Sequence, residues 1–194
     1  MYNGTAGPYT IKDWNYTTNN ANLTINGSGA TFSLGAQEDI SGNFTVSAGT
    51  FDANDKTFTI NGNTVINGGT MKTGTNVVTF GNASGDSVTI SSGELQIESD
   101  VSADIVKNAG TWTNSGGTIT YNAASVVSVN LFSAFSPYNH LTVNSSGSTY
   151  TLNGAVVVNG NFINTTGTVD ADATGNYTLT IGGNWSNSGT FTAR

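Results

Sequence analysis

Apolar and polar residues alternate along almost the whole chain. Asn22-Leu23-Thr24-Ile25-Asn26, Thr57-Phe58-Thr59-Ile60-Asn61, Ser87-Val88-Thr89-Ile90-Ser91 and Thr178-Leu179-Thr180-Ile181-Gly182 all repeat with period two. That spacing puts one set of side chains into a core and the other into water, which is the pattern of a β-strand. No window keeps apolar residues at i, i+3, i+4 and i+7, so helices are not expected. Asn-Gly, Gly-Gly and Ser-Gly pairs separate the runs and allow turns with positive φ. The pattern predicts many short strands joined by tight turns.

The same strands recur at a fixed offset. Leu23-Thr24-Ile25-Asn26 aligns with Leu141-Thr142-Val143-Asn144, and 141 − 23 = 118. At that offset Thr31-Phe32-Ser33-Leu34 meets Thr149-Tyr150-Thr151-Leu152, and Ile40-Ser41-Gly42-Asn43-Phe44 meets Val158-Asn159-Gly160-Asn161-Phe162. Gly49-Thr50-Phe51-Asp52-Ala53 falls on Gly167-Thr168-Val169-Asp170-Ala171. Apolar-x-apolar pairs arrive within each copy about every 9–14 residues, so two or three strands would close a rung of roughly 20–30 residues. A single rung cannot bury its inward face, but a stack shares one core. Seven to nine such rungs at about 4.8 Å each would form a rod about 35–45 Å long. The expected organisation is one repeat domain over residues 1–194. Two related blocks, about 20–72 and 138–192, are joined by a divergent section (Gly93 to Asn130) read as a longer loop or junction. Alternation also fits a tandem pair of β-sandwiches split near residue 125.

Composition narrows the functional classes. Only 9% of residues are charged and 36% are hydrophobic, with a net charge of −7. Evenly spread Val, Ile, Leu and aromatics separate the chain from disordered sequences. The negative balance argues against nucleic acid, which requires a basic footprint, and against anionic membrane surfaces. There is no Cys, hence no disulfide and no thiolate metal site. No apolar run reaches the ~18 residues of a membrane-spanning helix.

The runs Gly117-Thr118-Ile119-Thr120-Tyr121-Asn122, Tyr138-Asn139-His140-Leu141-Thr142-Val143 and Gly183-Asn184-Trp185-Ser186-Asn187-Ser188-Gly189-Thr190-Phe191 carry a resemblance. They resemble the repeats of filamentous-haemagglutinin-like and autotransporter-adhesin-like bacterial surface proteins. The likeness is good over about 117–192 and fair over 20–72. It implies an all-β, single-stranded right-handed parallel β-helix (a β-solenoid) used outside the cell as a stalk, fibre or adhesive surface. It brings no catalytic residues with it.

Candidate chemistry is sparse. His140 is the single histidine, and neither a triad nor a zinc site finds partners for it. Lys12, Lys56, Lys72 and Lys107 are scattered, which disfavours the lyase chemistry some β-helices perform. Asp170, Asp172 and Thr174 alternate before Gly175 like the first half of a calcium loop, yet Ile181 stands where its bidentate Glu belongs. A polar turn is the stronger reading there, with structural Ca²⁺ the alternative. Glu94, Glu98, Asp100 and Asp104 read as a solvated face. Thr-x-Thr pairs at 57/59, 111/113, 118/120, 149/151, 178/180 and 190/192 could match an ice lattice, but their unequal spacing favours ordinary strand exterior. Phe132, Phe135 and Tyr138, in an aromatic stretch read as a loop, are the candidate contact surface for glycans. Sequons at Asn3, Asn15, Asn22, Asn26, Asn43, Asn82, Asn144, Asn164, Asn176 and Asn184 would carry glycans if the chain meets an Asn-glycosylation pathway.

The leading expectation is a non-catalytic structural module of an extracellular fibre, filament or cell-surface adhesin. A carbohydrate-binding adhesin is the alternative, and ice binding a third. Gly189 to Arg194 stops in mid-strand pattern without a cap. That predicts end-to-end self-association or continuation of a longer array, since open coil ends expose unpaired backbone groups.

Overall fold

The computed structural model describes residues 1–12, 21–123 and 125–194. Every strand ladder among them is parallel. A sandwich is built from antiparallel strands, so the chain is instead a parallel β-solenoid. Thr31 pairs with Thr50, 19 residues on, and Val78 pairs with Ile105, 27 residues on; these are the limits of the coil length in the N-terminal half.

One file of nine strands runs the length of the described coil. It begins with Tyr9–Ile11 and continues through the second halves of Leu23–Leu34, Phe44–Asp52, Thr64–Lys72 and Ser87–Ile97. It then passes to Thr118–Tyr121, the first halves of His140–Leu152 and Phe162–Asp170, and Trp185–Asn187. Eight steps of about 4.8 Å make a rod of roughly 38 Å.

The other two files are each broken once. In the N-terminal half one is formed by the first halves of the long strands and ends at Thr111–Asn114. The other joins Glu38–Ile40, Phe58–Ile60, Val78–Phe80 and Ile105–Lys107. New files open in the C-terminal half: Ser128–Leu131 beneath the second half of His140–Leu152, and Tyr138 beneath Val156–Val158 and Leu179–Ile181. Side chains bridge the breaks where ladders do not. Trp112 stacks on Phe135 at 4.1 Å, and Lys107 Nζ donates to the Ala134 carbonyl at 3.0 Å.

This break explains the 118-residue repeat. Leu23–Ile25 lies in the file beside the continuous one, whereas its copy Leu141–Val143 lies in the continuous file itself. The second block is therefore displaced around the coil by one face. Thr118–Tyr121 is the hinge of the displacement, pairing with the second half of one block's last long strand and the first half of the next block's first. Among its described residues the 93–130 section thus holds strands, Ile105–Lys107, Thr111–Asn114 and Thr118–Tyr121 among them, and is the junction between the blocks rather than a longer loop.

Inward residues form columns at the rung spacing. One passes from Tyr9 through Phe32, Phe51, Met71, Leu95, Ile119, Leu141 and Phe162 to Trp185. Its seven inner members are buried. Phe44, Phe51 and Phe58 meet across the three faces with centroids 4.7–5.1 Å apart.

Corners are tied by side-chain ladders. Asn22 Oδ1 accepts from Asn43 N–H at 2.7 Å, Asn43 Oδ1 from Asn63 N–H at 2.9 Å, and Asn63 Oδ1 from Ser87 N–H at 2.8 Å. In the second block Asn161 N–H donates to His140 Nδ1 at 2.9 Å, and Asn184 N–H to Asn161 Oδ1 at 3.0 Å. His140, 118 residues after Asn22, does an asparagine's work in this ladder. At the next corner Gly49 has φ +77°, and a Cβ there would strike the Gly27 carbonyl oxygen, so only glycine fits. Asn43→Ala removes an acceptor from an exposed corner where water substitutes in part, and should lower stability by about 1 kcal/mol. Asn43→Asp keeps the oxygen and should cost less, as compared by urea unfolding midpoints.

Candidate functional site

The feature that stands apart from the rest of the coil is its last rung. Leu179–Ile181, Trp185–Asn187 and Thr190–Thr192 each pair on one side only. Leu179, Ile181 and Phe191 occupy inward positions yet are half-buried, and Trp185 is 46% exposed. The related interior rung shows what is missing. There Phe58 is covered by Val78, Thr64 by Val88 and Met71 by Leu95, and all six are fully buried. Trp185 stacks on Phe162 at 4.7 Å and meets the edge of Phe191 at 5.2 Å, so the exposed apolar surface is ordered by the rung beneath. Arg194 forks onto Asp170 with distances of 3.1 and 2.8 Å. That hydrogen-bonded guanidinium holds the Asp170 carboxyl below its ordinary range.

The expected contact surface is corrected. Phe135 and Tyr138 are buried, and Phe132 is half-buried against Tyr121 and Phe135. Where two files break, the coil needs bulk to fill the gap, and this aromatic run supplies it. Tyr121 and Tyr138 hydroxyls meet at 3.0 Å, Tyr138 donates to the Phe132 carbonyl at 2.6 Å, and Phe132 N–H donates to Tyr121 at 2.9 Å. Trp14 and Tyr16, aromatic side chains that could also stack on a sugar ring, lie outside the described residues.

At the calcium candidate the carboxylates are engaged within the chain, in keeping with the polar-turn reading. Asp170 is taken by Arg194 and by Asp172 N–H at 3.0 Å. Asp172 Oδ1 accepts from Thr174 N–H at 2.7 Å and Gly175 N–H at 2.6 Å. These carboxylates close a turn and do not converge. Among the described residues no three His, Cys, Asp or Glu side chains are grouped to hold a metal. Two of the acidic set are engaged locally: Glu98 pairs with Lys72 at 3.0 Å and Asp100 accepts from Ser125 at 2.7 Å. The Thr-x-Thr pairs fall in several different files, so they do not form one array.

Of the sequons, Asn3, Asn22, Asn26, Asn43, Asn82, Asn144, Asn176 and Asn184 are exposed, and Asn15 lies outside the described residues. Asn164 is corrected. It points inward and is buried, and its amide donates to Asn187 Oδ1 at 2.8 Å and to the Thr190 carbonyl at 3.2 Å. A glycan has no room there on the folded coil.

A second surface escaped the sequence reading. An open trough of about 470 Å³ crosses the outside of the continuous file, lined by Glu94, Gln96, Thr118, Thr120 and Thr142, with Asn122, Asn144 and Thr165 along it. Residues from four different rungs meet there, which only the register reveals. The chain matches no protein-family model, and comparison with curated proteins and with solved structures gives no match.

Proposed function

We propose that the chain is a non-catalytic structural module of an extracellular fibre, filament or cell-surface adhesin whose coil is extended at its last rung, by end-to-end stacking of a second copy or by continuation of a longer repeat array. The observation that carries this reading is the exposure of Trp185 at the end of an otherwise buried column. At the opposite end of the same file, Tyr9–Ile11 also pairs on one side only among the described residues, with Tyr9 36% exposed. Two open parallel edges of one file are complementary by translation, so head-to-tail contact continues the ladder and does not close on itself. Exposed apolar side chains and unpaired backbone groups are then buried together. The even, sparsely charged surface and the resemblance to bacterial surface repeats favour a placement outside the cell.

Analytical ultracentrifugation and negative-stain microscopy over a concentration series test this. Growth into rods longer than one subunit is expected, and Trp185→Asp should shift it to at least ten-fold higher concentration while leaving the unfolding midpoint nearly unchanged. Monodisperse monomers at the highest concentration would overturn end-to-end stacking of copies.

A further inference from the structure

We propose that the outer trough binds an extended, neutral polyhydroxylated chain, an oligosaccharide laid along the coil axis. The inference stands independently of end-to-end stacking, because the trough lies on the flank of the rod.

Its shape follows from the one-face displacement of the second block. Before the break, the continuous file carries the second halves of long strands, whose outward residues on its fifth strand are the long Glu94 and Gln96. After it, the file carries first halves, which leave the face through bulges at Val143/Asn144. Thr118, Thr120 and Thr142 continue the lining on the next two strands of the file. A volume of about 470 Å³ lies within the range of ligand-binding clefts.

The lining selects the ligand class. It contains no Lys or Arg to meet a phosphate or an acidic polymer, and no large apolar side chain to hold a lipid tail. Its one carboxylate is already engaged: Thr120 Oγ1 donates to Glu94 Oε1, and Gln96 Nε2 donates to Glu94 Oε2 at 2.9 Å. Both carboxylate oxygens are held in place, and Thr120 is buried beneath them. The remaining groups are the hydroxyls of Thr118, Thr142 and Thr165, the Gln96 carbonyl oxygen and the amides of Asn122 and Asn144. Of these, only Asn144 and Asn122 touch each other, at a long 3.4 Å. The hydroxyls and the Asn amides can each donate and accept toward a ligand hydroxyl, and the Gln96 oxygen can accept. They recur at the rung spacing of about 4.8 Å, close to the length of one pyranose unit in an extended chain. A polymer of neutral sugars offers hydroxyls at a matching repeat, and register with successive rungs makes several weak hydrogen bonds add.

The test is calorimetric titration of the full chain with cellohexaose and xylohexaose, beside oligogalacturonate as an acidic control. Binding of a neutral hexasaccharide with weaker or no binding of the acidic one is expected. Thr142→Val keeps shape and strand preference but deletes a hydroxyl, and should weaken binding about ten-fold. Thr118→Val combined with Thr142→Val should weaken it about a hundred-fold with an unchanged circular dichroism spectrum. Thr59→Val, on another face, should leave binding intact. No binding of either neutral chain, preference for the acidic one, or affinity unmoved in the double variant would overturn the proposal.

Discussion

Phe51→Ala is expected to destabilise the coil by about 3–5 kcal/mol, the cost of emptying a large aromatic site in a rigid core. Phe51 is fully buried, sits between Phe32 and Met71 in its column, and touches Phe44 and Phe58 at 4.7 and 4.8 Å. Each of these neighbours is fixed by a strand laddered on both sides, so the cavity cannot collapse. Natural domains are stable by only about 5–15 kcal/mol, so the variant should unfold at much lower urea. Phe51→Leu, which refills part of the volume, should cost distinctly less. The contrast with Trp185 makes the test sharp. Trp185→Ala removes a larger side chain from the same column, but at an uncovered rung, and should cost far less in the monomer. Equal losses at both positions would contradict a column whose burial is set by stacking.

The coil was legible in the sequence because two independent signals agree. Period-two alternation fixes strands such as Leu23–Ile25 and Phe58–Ile60, and glycines such as Gly49 fix where the chain must bend. The block repeat was legible as well. Its placement was not, because an alignment shows that Leu141 corresponds to Leu23 without showing which face either occupies. That depends on how many strands lie between them, and the extra turn through Ser128–Leu131 and Ser133–Phe135 is too irregular for periodicity to count. The same irregularity hid the burial of Phe135 and Tyr138. A Ser- and Pro-containing aromatic run reads as a surface loop, and only the broken files beside it demand that it fill a core. Asn164 is different: it lies two residues after inward Phe162, as Asn187 lies two after Trp185, so alternation puts both on the inward side, where Asn164 is buried and Asn187, in the last rung, is exposed. The trough was beyond reach, since its lining comes from rungs that meet only once the displacement is known.

The coil should also unfold steeply above pH 10, through three tyrosines at the block junction. Tyr121 and Tyr138 are fully buried, and Tyr150 is buried with its hydroxyl donating to Ser145 Oγ at 2.8 Å. Because Tyr138 gives its proton to the Phe132 carbonyl, Tyr121 must give its own to the Tyr138 oxygen. Neither proton can leave without stranding a phenolate among Phe132, Phe135 and Tyr150. Burial is the main cause that raises all three phenols above the ordinary value of 10.0. The sign follows from proton linkage. Below that value folded and unfolded chains hold the same phenolic protons, and these groups give no pH dependence. Above it the unfolded chain releases protons that the folded coil retains, so stability falls with rising pH. Each tyrosine contributes up to about 1.4 kcal/mol per pH unit, or roughly 4 kcal/mol per unit for the three together. Urea midpoints should therefore be flat from pH 8 to 9.5 and collapse by about pH 11–12, with phenolate absorbance appearing together with loss of the β-sheet signal. Tyr121→Phe combined with Tyr138→Phe should lower stability at pH 8, because Phe132 N–H loses its acceptor, while removing about two-thirds of the alkaline slope. Phenolate absorbance that rises while the sheet persists, or a slope indifferent to the double substitution, would show that the junction is wet and that these hydroxyls are not what closes it.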